Sequence, residues 1–143
     1  MVFSKVRGRF LKHTGAIQLA DDPAQSWVEV AIDAASIDTG TAQRDTHLRS
    51  ADFFDSGNHR DITFTVDGIR PSGRGAAVTG ALTVRDRTRP LSFDAAASVR
   101  GDGEIWLDAE VHINRAGFGL TWNQMGMASM NNTLTIHTVF IRR

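Results

Sequence analysis

The chain of 143 residues has no cysteine, no tyrosine, three prolines and a net charge of zero. Without cysteine, disulfides, thiolate catalysis and cysteine-based metal sites are all excluded. Sixteen Lys and Arg are balanced by sixteen Asp and Glu. No positive excess is left to neutralise phosphates, which argues against a nucleic-acid binder and gives no support for steering onto an anionic membrane. No apolar run reaches the roughly 18 residues of a bilayer span, so no integral membrane segment is expected. The N-terminus, MVFSKVRGRF, is basic but has no apolar h-region, so a cytoplasmic location is the expectation. The length fits one domain, 1–143, able to bury a single core.

What the chain does have is apolar residues at every second position, the period of half-buried strands. Val28, Val30 and Ile32 form one row, Ile62, Phe64 and Val66 a second, and Val78, Gly80, Leu82 and Val84 a third. Leu91, Phe93, Ala95 and Ala97 follow, then Ile105, Leu107, Ala109, Val111 and Ile113, and last Leu134, Ile136, Thr138 and Phe140. Strands at 5–13 and 15–20 bring the total to about eight, or one fewer. Turn signals stand at Asp21–Pro23, Pro71–Gly75 and Gly101–Gly103. Strands in sequence with short turns and one apolar face each predict an all-β, antiparallel up-and-down barrel. An interior of that size either fills with side chains or holds one small ligand. Gly80, Ala95, Ala97 and Ala109 on the inward rows fit both readings: taper between close strands, or a lumen left open.

One stretch breaks the alternation. Asp38–Asp55, DTGTAQRDTHLRSADFFD, predicts a short helix near 41–50 with Thr41 at its N-cap. A second tight turn then carries Phe53 and Phe54.

With this stretch the chain resembles the YceI-like family of lipocalin-like, polyisoprenoid-binding barrels. The matching blocks run in order: VRGRF at Val6–Phe10, VEVAIDAASIDTG at Val28–Gly40, RDTHLRSADFFD at Arg44–Asp55 and ITF at Ile62–Phe64. VTGALTVRDRTRPLSF at Val78–Phe93 and INRAGFGLTWN at Ile113–Asn123 complete the set. The resemblance implies an eight-stranded barrel with a helical segment over part of it, a long apolar ligand in its lumen, and no catalytic activity. The family's first N-terminal strand has no counterpart here, so either the start is misassigned or the strand is absent; an absent strand exposes two strand edges and favours pairing with a second copy as a homodimer. An acidic pair often found before the last strand is Asn131–Asn132 here, and RDRTR at 85–89 makes that end more basic.

The ligands implied are a polyisoprenoid, an isoprenoid quinone or a fatty-acid-like lipid; no other cofactor and no metal is expected. Phe10, Val30, Ile32, Leu48, Phe53, Phe64, Val66, Leu82, Phe93, Leu107, Val111, Phe118 and Trp122 are the candidate lumen residues, and the same side chains read equally as a core. Arg44 and His47 are the candidate polar contacts at the rim. Two rival readings exist for that segment: Arg44–Asp45 and Arg49–Asp52 ion pairs that pin the helix, or Ser50, His47 and Asp45 as a hydrolytic triad. No G-x-S-x-G elbow supports the triad. The five histidines lack metal-ligand spacing, and His112 and His137 fall on the outward face of their strands. Met125, Met127 and Met130 form either an adaptable apolar lid or an incidental cluster. The rival from a different class is an assembly module that works through its strand edges and holds no ligand.

Overall fold

The computed structural model describes residues 8–18, 27–73, 75–101, 103–120 and 130–141. The elements are β1 (Arg9–Phe10), β2 (His13–Gln18), β3 (Trp27–Asp33), β4 (Ile37–Asp38), α1 (Ala42–Arg49), β5 (Asp61–Ser72), β6 (Gly75–Val84), β7 (Arg87–Arg100), β8 (Glu104–Asn114) and β9 (Asn131–Ile141). Single 3₁₀ turns lie at Ala34–Ser36 and Arg115–Phe118. Seven strands pair antiparallel in the order β2-β3-β5-β6-β7-β8-β9, a meander curled into a half-barrel.

The expected strand 5–13 is reduced among the described residues to β1, which leaves the main sheet and pairs with β4. The break at Leu11–Lys12 has a local cause. Asp33 Oδ1 accepts from Ala35 N–H at 3.0 Å and so turns the chain out of β3. The Ser36 carbonyl and hydroxyl then take the N–H groups of Leu11 and Lys12, both at 3.1 Å. These backbone donors are satisfied off the ladder, and the strand bends around the turn.

Ladder partners put the apolar rows on one concave face. Val30 faces Phe64 and Phe64 faces Leu82; Val78 faces Phe93, Ala97 faces Leu107 and Ala109 faces Ile136. A bulge between Val66 and Gly68 resets the alternation, so that Ile69, three residues after Val66, again shares the inner face with Val78. Gly80 marks a close approach: a Cβ built there lies 2.2 Å from the Thr65 carbonyl oxygen and 3.1 Å from two ring carbons of Phe64.

Two apolar clusters fill opposite ends. At the helix end Ala34, Ile62, Leu82, Val84, Phe118 and Leu120 are buried, with Phe10 and Phe54 packed on them. Toward the hairpin end Val28, Val66, Val78 and Ala95 are buried, flanked by Ile17, Ile69 and Phe140. Phe64 touches both. Among the described residues no ladder joins β9 to β2. The two edges approach through a side chain instead, since a Cβ built on Gly15 lies 3.6 Å from the Phe140 ring.

Candidate functional site

The concave face of the half-barrel is apolar, and at the helix end a buried cluster closes across it. Cap residues are almost inaccessible, Ala34 at 1%. Along the β7–β9 wall, Phe93, Leu107, Ala109, Ile136 and Phe140 are only half-buried. Leu134 faces inward opposite Val111, yet remains 37% exposed.

The candidate lumen residues divide by position. Val66 and Leu82 are buried on the inner face, and Val30, Ile32, Phe64, Phe93 and Leu107 are half-buried there. Val111 is buried at 2%. Phe10 and Phe118 belong to the cap, Phe10 meeting Phe54 edge-on at 5.6 Å. Leu48 and Phe53 are half-buried but pack in neither cluster. Phe53 turns instead toward His47, 5.2 Å between ring centroids, and lies under the Arg115 guanidinium at 5.6 Å. Phe54 is the member of the pair that enters the cap, because the tight turn after α1 points consecutive side chains in different directions. Trp122 lies outside the described residues, as do Met125 and Met127.

The helix segment is held by hydrogen bonds centred on Thr39. Arg44 donates from Nε to Thr39 Oγ1 (2.8 Å) and from Nη2 to the Thr39 carbonyl (2.9 Å). Asp45 Oδ1 accepts from Thr39 N–H (2.8 Å) and Thr39 Oγ1 (2.5 Å). Arg44 and Asp45 therefore converge on one threonine. Arg49 does not bond Asp52, as the sequence reading allowed; it donates to the carbonyls of Ala35 (2.8 Å) and Ile37 (3.2 Å). Those carbonyls belong to the β3–β4 turn, so Arg49 ties α1 to the cap. Asp52 is taken by His47 Nε2 at 2.7 Å.

This geometry decides between the readings of the segment. Ser50 Oγ donates to the His47 carbonyl at 2.5 Å, His47 contacts Asp52, and Asp45 faces Thr39, so no Ser–His–Asp relay is assembled. Arg44 and His47 line a shallow surface depression with Thr41 and Gln43, away from the trough walls. Thr41 occupies the N-cap position, but its side chain makes no capping hydrogen bond.

The Thr39 hydroxyl holds the Asp45 carboxyl below the usual carboxylate range, against burial and with help from Thr39 N–H and from Arg49 and Arg44. A folded-state pKa below the unfolded value contributes stability above about pH 4 that is lost as pH falls through the depressed value. Asp45→Asn is therefore expected to lower Tm at pH 7 and to flatten its decline between pH 5 and 3. Thermal melts across that range check it, and a variant acid limb parallel to wild type would refute it.

Buried Arg115 donates from Nη1 to the Leu120 carbonyl at 2.9 Å, and burial lowers its pKa. On the outer face His137 Nδ1 contacts Asp108, and His112 Nδ1 meets Thr133 Oγ1 at 3.2 Å. Both histidines point outward as the alternation requires. Among the described residues no three of His, Asp and Glu gather as metal ligands, and no helix is long and apolar enough to cross a membrane.

The profile of the YceI-like domain matches residues 1–140. The chain belongs to the YceI-like family. The YceI protein of Escherichia coli is 35% identical over 141 residues, covering 94% of this chain and 73% of that one. A UPF0312 protein of Serratia proteamaculans is 32% identical over 147 residues, covering 98% and 76%. The Campylobacter jejuni YceI crystal structure matches all of this chain and 88% of its own, with TM-score 0.87 and 25% identity. A polyisoprenoid-binding domain from Saccharophagus degradans has the same fold, with TM-score 0.64, 18% identity, and coverage of 79% of this chain and 67% of that one. Within this YceI-like chain the sheet (save Ile141 at the end of β9), the short helix and the capped end lie inside the matched segment.

Proposed function

We propose that this protein is a non-enzymatic carrier or sequestering protein for a long-chain amphiphile: a polyisoprenoid, an isoprenoid quinone or a fatty-acid-like lipid. The observation that carries the reading is the half-buried apolar wall of Phe93, Leu107, Ala109, Ile136 and Phe140 beside a sealed end. An apolar side chain left half-exposed on a concave face gains from any apolar chain laid against it, about 0.8 kcal/mol per methylene buried. A single head-group hydrogen bond contributes only about 1 kcal/mol net. Tail length and trough shape therefore dominate selectivity. The shared fold of a polyisoprenoid-binding domain supports the same class of ligand.

A second reading has its own observation. Among the described residues β9 is an eleven-residue sheet edge, with no proline and a single histidine as its only ionisable side chain. Such an edge lacks the usual defences against pairing, and Ile141 at its end is 72% exposed. This favours assembly through strand edges, as a homodimer.

Native mass spectrometry of detergent-free protein, followed by organic extraction, separates the two. The expected result is a stoichiometric long-chain species that leaves with the organic phase. Protein that carries no such species and takes up no added polyprenol or quinone would overturn the carrier reading, and a dimer in the same spectrum would favour assembly.

A further inference from the structure

On the side away from α1 the ladders end at the rungs Gln18–Trp27, Ser72–Gly75, Arg100–Glu104 and Glu104–Ile141. Five large apolar side chains are left exposed among the described residues. Three of them stand at this rim: Trp27 at 41%, Val139 at 36% and Ile141 at 72%. Of the other two, Leu134 faces inward, and Leu11 lies at the helix end against the Ser36 carbonyl. Trp106 is the ladder partner of Val139 and is half-buried beside it. Strand alternation turns Trp27 and Trp106 to the outer surface, because Val28 and Leu107 beside them face inward.

Both indole N–H groups at the rim are already engaged. Trp27 Nε1 donates to Gln18 Oε1 at 3.0 Å, and Trp106 Nε1 donates to Glu104 Oε2 at 3.1 Å. An indole with its polar tip satisfied presents an apolar body, the form suited to the border between lipid head groups and hydrocarbon. Arg100 lays its guanidinium over the Trp106 ring, with Cζ 4.1 Å from the centroid. Arg70 is exposed two residues before the end of β5. Neither arginine pairs with a carboxylate among the described residues. Such cations beside exposed indoles are the charge complement of phosphate oxygens.

The placement of these groups selects the occupant. They come from β3 and from β8 and β9, which are not neighbours in the sheet. A protein partner covers one patch with an apolar centre, whereas groups gathered only by a rim share a plane, as a bilayer surface does. The chain's net charge of zero supplies no long-range attraction to anionic lipid. Contact therefore rests on apolar insertion, and the phosphates of a zwitterionic lipid suffice for the two arginines.

We propose that this rim docks on a lipid bilayer, with Trp27, Trp106, Val139 and Ile141 entering the interface and Arg70 and Arg100 meeting lipid phosphates. The docking does not rest on the carrier reading, since it holds whether or not a lipid occupies the concave face.

Flotation of the full chain with phosphatidylcholine vesicles tests it. Wild type is expected to float with the vesicles at low and high salt alike. Trp27→Thr and Ile141→Thr keep a β-branched residue in the strand and should each weaken partition by about tenfold. Ile141→Thr, at the more exposed position, should do so without a change in Tm. Leu11→Thr, at a position 57% exposed on the opposite end, should float as wild type does. Wild type that does not float overturns the proposal, as does flotation that survives both rim variants or is lost in Leu11→Thr. Flotation that requires anionic lipid and vanishes at high salt also overturns it. A dimer in sedimentation velocity that Ile141→Thr dissociates, with no flotation, overturns it and gives the rim to a second copy.

Discussion

Leu107→Asp is expected to weaken binding of a long apolar chain by at least about a hundredfold while the protein still folds. Leu107 stands on the inner face between Ala97 and Thr138 and packs in neither buried cluster. Its removal therefore costs only part of a leucine's burial, about 1–2 kcal/mol, or a few degrees in Tm. A carboxylate at that point has no partner, and covering it with an apolar chain strips its hydration at a cost of several kcal/mol. Aspartate is the stricter choice than lysine, since a long stem lets an ammonium reach water. Glu110→Lys, on the outer face of the same strand, is the control and should bind as wild type does. Titration with farnesol or a polyene fatty acid decides the matter: unchanged affinity in Leu107→Asp would remove the β8 wall from the site.

The second large effect is on stability. Gly80→Ala is expected to cost about 3 kcal/mol and lower Tm by about 10 °C. The added methyl group meets the Thr65 carbonyl oxygen at 2.2 Å and the Phe64 ring at 3.1 Å. A backbone oxygen cannot rotate away as a side chain can, so β5 and β6 must separate where their ladder runs through Val66 and Gly80. Phe64 bridges the two clusters, and its displacement loosens both. Gly57→Ala, where nothing lies within 4 Å of the new Cβ, is the matched control and should leave Tm within about a degree or two. Calorimetric melts of the pair suffice, and equal melting temperatures would show that the two strands tolerate the methyl group.

Much of the architecture was legible in the residue pattern because a strand's side chains alternate strictly between two faces. The rows at Val28–Ile32, Ile62–Val66, Val78–Val84 and Ile105–Ile113 each became one inner face, and α1 fell within the expected 41–50. What periodicity missed lies where the period itself fails. The bulge at Val66–Gly68 puts Ile69 back on the inner face, and the bend at Leu11–Lys12 withdraws β1 from the sheet. The Phe53–Phe54 pair sits in a tight turn, where no rule of alternation says which ring enters the cap.

Composition and pattern alone determined that this is a cysteine-free, charge-balanced, antiparallel β meander with one short helix, and the ordered sequence blocks carried its resemblance to the YceI-like family. Those properties depend on side-chain type and on spacing along the chain. The tertiary structure alone decided where Arg44, Asp45 and Arg49 send their hydrogen bonds, which of Phe53 and Phe54 enters the cap, and where β1 leaves the main sheet. Those outcomes depend on approaches such as Arg49 to Ala35 and Gly80 to Thr65, between segments well apart in the chain, and no periodicity encodes such distances.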